Sequence, residues 1–419
     1  MRVWRALAGI LVAAAAGCAR TSATEPGSAP QELHALPRPL TSSEQHIVDA
    51  GNDFSFALFR RLSEAQAGSN VFVSPLSASM ALGMTMNGAA GATLDGMRQT
   101  LGFGSTDEQQ INGGYQGVLA LLRGLDASTQ LEVANSIWYR QDLAVNPSFL
   151  QTTRSAFSAE VHALNFADAP GTLAAVNGWV NDKTRGKIPS ILESVDPSDV
   201  MYLLNAIYFK GSWRDRFDPQ QTRDASFHAA DGSAQPAKLM HRQDAILYLA
   251  TPRFQAAELP YGNGAFAMTI LLPSEGTNID DFAASLTRAD WNSWTAQLHT
   301  QQVILDLPRF KLSYERTLNN DLSAMGMGIA FDSRGADFSR MASVSADQRL
   351  FISFVKQKAF VDVNEEGTEA AAVTVVGISV TSLPAIPTMR VDRPFVFVIR
   401  ERLSGTLLFM GKITKLPGS

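Results

Sequence analysis

Cysteine is almost absent from the chain: Cys18 is the sole one among 419 residues. No internal disulfide can form, so the folded part must hold together by packing alone. The six histidines, at 34, 46, 162, 228, 241 and 299, show neither His-Glu-x-x-His nor any other metal spacing, and neither a metal nor a cofactor is expected. An excess of positive charge is also missing. With 35 Lys and Arg against 40 Asp and Glu the formal net charge is -5, which leaves no electrostatic footprint for a nucleic acid. After residue 45 there is no internal repeat and no low-complexity linker, so the length is read as one large domain with a single core.

A recognisable catalytic set is lacking too. Ser353-Phe-Val-Lys356 fits a Ser-x-x-Lys pattern and Tyr261-Gly-Asn263 a companion motif, but their order is reversed and no Lys-Thr-Gly follows. The pair is read as coincidence, and the protein as no enzyme.

What is present begins with Met1-Arg-Val-Trp-Arg5, an apolar run over 6–16 and Gly17-Cys18. A positive start, a short apolar stretch and small residues describe an export signal, too short to span a membrane. Ala15-Ala-Gly-Cys18 resembles the bacterial lipobox, in which the cysteine is lipidated and becomes the new N-terminus; Ala15 departs from it, since Leu is commoner there. Lipidation would give the odd cysteine a purpose. The expectation is a signal peptide over 1–17, a Ser/Thr/Pro/Ala-rich tether over 18–44 and a folded domain over 45–417, anchored through Cys18 in the periplasm or on the cell surface. The alternative is a protein secreted outright.

Apolar residues at helical spacing over 47–62 predict an amphipathic helix, and Ser74-Pro75 opens a second with Ser74 as cap and Pro75 at its first position. Met80, Ala81, Met84 and Met86 make that second helix apolar nearly all round, hence buried. Strands are expected over 131–138, 201–209, 266–272 and 303–308, and a further helix over 317–325 after a turn at Tyr314. Asn205 stands alone in an apolar strand and needs hydrogen-bond partners. Helices and strands interleave without a steady βα rhythm, so the class is α+β.

One stretch, residues 364–382, suits two incompatible states. It opens as an acidic turn around Glu365, Glu366 and Gly367, narrows through Ala370, Ala371 and Ala372, and becomes a β-branched run. Pro384 and Pro387 then bracket its end as loop. Extended, it would put Thr368, Ala370, Ala372, Thr374, Val376 and Ile378 on one face, and Glu369, Ala371, Val373, Val375 and Gly377 on the other. Small residues at the entry end would let it slide between existing strands without overpacking.

Asn364-Glu-Glu-Gly-Thr-Glu-Ala-Ala-Ala372, followed by Asp392-Arg-Pro-Phe-Val-Phe-Val-Ile399 and Leu408-Phe-Met-Gly-Lys-Ile413, resembles the hinge, reactive loop and carboxyl-terminal strands of the serpin family. Asn70-Val-Phe-Val-Ser-Pro-Leu-Ser77, Asn205-Ala-Ile-Tyr-Phe-Lys-Gly-Ser-Trp213 and Glu258-Leu-Pro-Tyr261 resemble other serpin signatures in the same order. The resemblance covers roughly 45–417. It implies three β-sheets with about nine helices, a monomer, and a reactive-centre loop exposed beside the largest sheet. It further implies a sheet-opening cluster of Ser74, Ser77 and Asn205 with a histidine; Gln357 stands at the histidine position, keeping donor and acceptor but losing any titration.

The function the resemblance implies is inhibition of a serine protease. The loop is bait; once the acyl-enzyme forms, the freed loop inserts into the sheet and distorts the protease. Glu365, Glu366, Gly367, Thr368, Glu369, Ala370, Ala371 and Ala372 would be the hinge. Spacing forward from Gly367 places the reactive bond at Thr381-Ser382, between Val380 and Leu383, whereas spacing back from Pro394 gives Leu383-Pro384. Thr381 is preferred because proline after the bond resists cleavage. Ile378, Val380 and Thr381 suit an elastase-like or subtilisin-like pocket, and no Lys or Arg lies between Lys358 and Met389 to attract a trypsin-like one. Some serpins bind heparin through a basic helix, but residues 104–122 carry Asp107 and Glu108 with no basic cluster. The competing reading is a non-inhibitory serpin serving as a binding or carrier module.

Overall fold

The computed structural model describes residues 31–197, 199–344, 349–368 and 386–417. Two sheets dominate. The first has six strands in the order β11 (Phe310–Thr317), β13 (Lys356–Asn364), β14 (Gly367–Thr368), β5 (Met201–Ser212), β2 (Gln130–Arg140) and β4 (Glu160–Leu164). The second runs β1 (Val71–Val73), β17 (Leu407–Ile413), β16 (Phe395–Glu401), β9 (Phe266–Pro273), β8 (Phe254–Pro260), β7 (Ala234–Ala250), β10 (His299–Pro308) and β15 (Thr388–Arg390), with β6 (Arg223–His228) beside β7. A third, small sheet pairs β3 (Ala144–Val145) with β12 (Ala342–Ser343).

Nine α-helices complete the described residues: α1 (Ser42–Ala65), α2 (Pro75–Met86), α3 (Gly91–Thr100), α4 (Glu108–Gly124), α5 (Pro147–Phe157), α6 (Ala169–Lys183), α7 (Ile279–Ala284), α8 (Arg288–Gln297) and α9 (Asn319–Leu322). The α+β class read from the sequence, and the three sheets with nine helices that the resemblance implies, are what the described residues form.

Local chemistry sets the boundaries. Thr41 and Glu44 close a capping box at the start of α1, and Ser74 caps α2 ahead of Pro75. α2 has no polar face because it lies between the six-stranded sheet and β17, so eleven of its twelve residues are buried. From Tyr202 to Phe209 β5 is apolar on both faces except at Asn205, for a similar reason: Ile207 and Phe209 enter the main core, while Tyr202, Leu204 and Ala206 enter a second cluster with Trp138 of β2 and with Val176 and Trp179 of α6.

Three sequence readings change. Tyr314 is no turn but sits inside β11, where Phe310, Leu312 and Tyr314 point inward and Lys311 and Ser313 outward. The helix expected over 317–325 keeps only four regular residues in α9, then passes through a π turn broken at Gly326 (φ 115°). Residues 31–41, placed by the sequence in the tether, lie against the domain: Leu33, Leu36 and Leu40 pack on the core, and the Leu33 amide donates to the Asn263 carbonyl at 2.8 Å.

Candidate functional site

Among the described residues, the six-stranded sheet is joined across its middle by two, Gly367 and Thr368. β14 is antiparallel to both β13 and β5, with Val363, Thr368 and Gly211 in one row and Asn364, Gly367 and Ser212 in the next. β13 and β5 therefore run parallel to each other, and among the described residues nothing pairs them beyond β14. The sheet has a seam.

Gly367 fits the top of this seam because it lacks a side chain. A Cβ there would stand 2.1 Å from the Gly211 carbonyl oxygen and 2.7 Å from the Ser212 Cα, and its φ is 152°. Thr368 is buried and shares a 2.7 Å hydrogen bond with the Tyr261 hydroxyl. Burial pushes the Tyr261 phenol well above its usual range, so it stays a neutral partner. Tyr261 stacks on Trp213 with centroids 4.5 Å apart, and Trp213 donates from its indole to the Asn364 carbonyl at 2.9 Å and from its amide to the Glu366 carbonyl at 2.8 Å. Beside them Glu365 is buried, accepting from Arg309 Nε at 2.6 Å and from the Thr222 hydroxyl. The chain entering the seam is thus held at five consecutive residues, 364–368.

Lower down, a polar cluster lies beneath the seam. The Ser74 hydroxyl donates to the Leu408 carbonyl at 2.7 Å, and Ser77 donates to Asn205 Oδ1. Asn205 Nδ2 in turn donates to Asn135 Oδ1 at 2.6 Å, and Asn135 Nδ2 to the Phe157 carbonyl at 2.7 Å. Gln357 joins from β13, accepting from the Ser74 amide at 3.0 Å and donating to the Ser74 carbonyl at 2.8 Å. Ser74 on α2 is tied to one lip of the seam, while Ser77 is tied to the other. Below the cluster lies a cavity of about 50 Å³, lined by Ala81, Leu82, Met201, Leu203, Phe338 and Met341.

A family model described as Serpin (serine protease inhibitor) matches residues 49–416. The chain belongs to the serpin family. Among relatives, the leukocyte elastase inhibitor of Homo sapiens is 34% identical over 381 residues, which is 88% of this chain and 99% of that protein. Iripin-2 of Ixodes ricinus is 36% identical over 382 residues, covering 89% and 94%. Of solved structures, the native state of the thermophilic serpin tengpin superposes with a TM-score of 0.82 at 29% identity, over 93% of this chain and 98% of that one. Thyroxine-binding globulin in complex with thyroxine gives 0.80 at 27%, over 88% and 99%.

In this serpin the four cluster residues read from the sequence, Ser74, Ser77, Asn205 and Gln357, come together. So do Glu365, Glu366, Gly367 and Thr368 at the head of the seam. Cys18, Glu369, Ala370, Ala371, Ala372 and the proposed bond with Val380, Thr381, Ser382 and Leu383 lie outside the described residues. The Ser-x-x-Lys pair is not a dyad: Lys356 Nζ is bound to Glu315 at 2.6 Å, and the Ser353 hydroxyl lies 3.5 Å from Asp199.

Sequence reading missed Arg309, Thr222 and Asn135. Asn135 carried a weak signal, an amide beside Ser136 ahead of the apolar run Ile137-Trp138. Arg309 and Thr222 carried none, because their pairing with Glu365 spans 56 and 143 residues. It also missed Glu258, whose burial opposes ionisation; the Arg400 and Arg402 guanidinium groups outweigh that and hold the carboxyl below its usual range.

Proposed function

We propose that this serpin inhibits a serine protease with a small apolar pocket, elastase-like or subtilisin-like, by offering Thr381-Ser382 as bait and inserting the cut loop into the seam. The protease serine would attack the Thr381 carbonyl carbon, the Ser382 amine would leave with a proton from the protease base, and the acyl-enzyme would remain on Thr381. Insertion then competes with deacylation. If insertion is faster, the protease is carried along the sheet and its oxyanion hole is pulled apart.

The observation that carries this reading is the seated pair Gly367-Thr368, which sets the register a longer strand would follow. Continuing the two rows would place Ala370 opposite Val361 and Phe209, Ala372 opposite Ala359 and Ile207, and Thr374 opposite Gln357 and Asn205. Thr368 points inward, so these even-numbered residues would too. Ala370 and Ala372 would pass the large side chains without overpacking, the Thr374 hydroxyl would meet the polar cluster, and Val376 and Ile378 would reach the level of the cavity beside Leu203 and Met201. Apolar side chains meet apolar space, and the one central hydroxyl meets amides. About ten to fourteen residues added as a strand would release on the order of 10 kcal/mol or more, from roughly 0.5 to 1.5 kcal/mol per net hydrogen bond and apolar burial besides.

The likeness to thyroxine-binding globulin favours a second reading, a carrier that never inserts. Against it stand Thr368, Ala370 and Ala372, since a hinge that need not enter a sheet is under no pressure to be small. Incubating the domain with an elastase-like protease and running a denaturing gel decides between the two. A covalent species of summed mass is expected; cleavage without it would leave the carrier reading. The N-terminal reading, export with a lipid on Cys18, is part of the same proposal and is tested by mass spectrometry of the mature N-terminus.

A further inference from the structure

The seam is bridged on its outer face by something other than a strand. α6 is fastened to the β5 side, because Val176, Trp179 and Val180 pack in one cluster with Tyr202, Leu204, Ala206 and Trp138. At its end the chain makes a tight turn over residues 184–188. The buried Thr184 hydroxyl donates to the Val180 carbonyl at 2.8 Å and accepts from the Ile188 amide at 3.0 Å, and the Gly186 amide donates to the Asn181 carbonyl at 2.8 Å. Two cations project from this turn. Arg185 lies over the Tyr208 ring of β5 with Cζ 5.5 Å from its centroid, and Lys187 Nζ lies 5.3 Å from the centroid of Phe360 on β13.

Tyr208 and Phe360 share one row of the register set by Gly367 and Thr368: each is three positions below the Gly211 and Val363 that flank Thr368. Both are even-numbered and face away from the main core, towards α6. One turn therefore touches both lips of the seam at a single level, three positions below the row of Thr368. Among the described residues Arg185 is one of two non-glycine residues with positive φ, at 52°. Glycine would be easier there, so the backbone conformation does not explain the arginine.

We propose that the 184–188 turn is a clasp that sets how readily the seam opens, with Lys187 as the latch on Phe360 and Arg185 holding the base of the latch on Tyr208. Because α6 travels with β5, separating β5 from β13 parts Lys187 from Phe360 and leaves Arg185 on Tyr208. Substituting Lys187 thus frees the seam more than substituting Arg185. This inference rests on the inhibitory reading only for its consequence; the clasp itself is testable without a protease.

The test is native-state hydrogen exchange on the intact domain, comparing Lys187→Met, Lys187→Arg, Phe360→Leu and Arg185→Gly with the parent. A cation over an aromatic face is worth a factor of about two to five in an exposed setting. Lys187→Met and Phe360→Leu should raise exchange about two- to five-fold in peptides covering 206–210 and 358–362, leave β16 and β17 unchanged, and shorten the half-life of inhibitory capacity at 45 °C by a similar factor. Lys187→Arg, which keeps a cation over the ring, should restore parent behaviour, and Arg185→Gly should show a smaller rise. Parent-like exchange in both Lys187→Met and Phe360→Leu, or Lys187→Arg matching Lys187→Met, overturns the clasp. A parent that forms no covalent complex overturns the inhibitory reading instead, and the exchange result stands apart from it.

Discussion

Gly367→Ala is the substitution that most directly tests whether insertion starts where β14 sits. The added methyl group would meet the Gly211 carbonyl oxygen at 2.1 Å, the Ser212 Cα at 2.7 Å and the Trp213 amide nitrogen at 2.9 Å. All three are backbone atoms, so no rotamer change relieves the contact and residues 367 and 368 must leave the seam. That removes the ladder on both sides, roughly three or four hydrogen bonds at about 1 kcal/mol net each. It also leaves the Tyr261 hydroxyl buried without Thr368, for about 1 to 3 kcal/mol more. If half of a loss of about 4 kcal/mol is felt in the transition state for insertion, the step slows about thirty-fold, since 1.4 kcal/mol is tenfold. The reactive bond is untouched, so cleavage continues at the parent's rate while the acyl-enzyme is hydrolysed instead of trapped. Titrating a fixed amount of elastase-like protease gives the stoichiometry of inhibition directly, and the variant should need at least ten times more inhibitor per protease. A stoichiometry within twofold of the parent would mean that the seated pair plays no part in starting insertion, and the register built on it would fall.

Thr368→Arg places a charge beneath Phe209 and Tyr261 and should convert the inhibitor to a substrate; an undiminished covalent complex on a denaturing gel refutes the hinge assignment. Cutting the loop near Thr381 should raise the melting temperature through strand insertion, and calorimetry showing no rise would remove the energy source. Gln357→Ala leaves the Ser74 amide unpaired in the core, while its carbonyl still accepts from the Ala78 amide, for about 1 to 3 kcal/mol of stability in urea titration. Glu44 is held down to about 2, first by its hydrogen bond to Arg38, and Glu258 is also depressed. The stabilisation from each is complete above the ordinary carboxylate range and is lost as the pH falls below it, for Glu44 from about 4.5 towards about 2. Glu258→Gln should cost about 3 to 5 kcal/mol at pH 7, by leaving Arg400 and Arg402 unpaired, and should flatten that acid limb.

The sequence carried the parts of this fold that depend on neighbours along the chain. Ser74-Pro75 is a helix-start signal local to the chain, and a strand as apolar as β5 is over 201–209, Asn205 apart, announces that both of its faces are covered. What it concealed depends on distant partners. Alternation over Phe310, Leu312 and Tyr314 marks a strand, yet Tyr314 alone reads as a turn until β13 is laid beside it in register. Leu33 looks like a tether residue because its partner, the Asn263 carbonyl, is more than two hundred residues further along the chain.

Gly367 shows most clearly why a residue can be singled out correctly for an incomplete reason. Between two glutamates and a threonine it reads as a turn glycine, free to bend. The turn, however, is made by Glu365 and Glu366, and Gly367 is already strand, held where the backbone of β5 comes too close for any side chain. The two demands, a bend before it and a close approach at it, both select glycine, so composition alone could not separate them. Only the second makes the residue a gauge of the seam. A turn glycine would tolerate alanine with mild strain and leave the sheet as it was, whereas a close-approach glycine transmits even one methyl group to both strands. The seam is therefore gauged at Gly367 by how narrow it already is where the backbone of β5 passes.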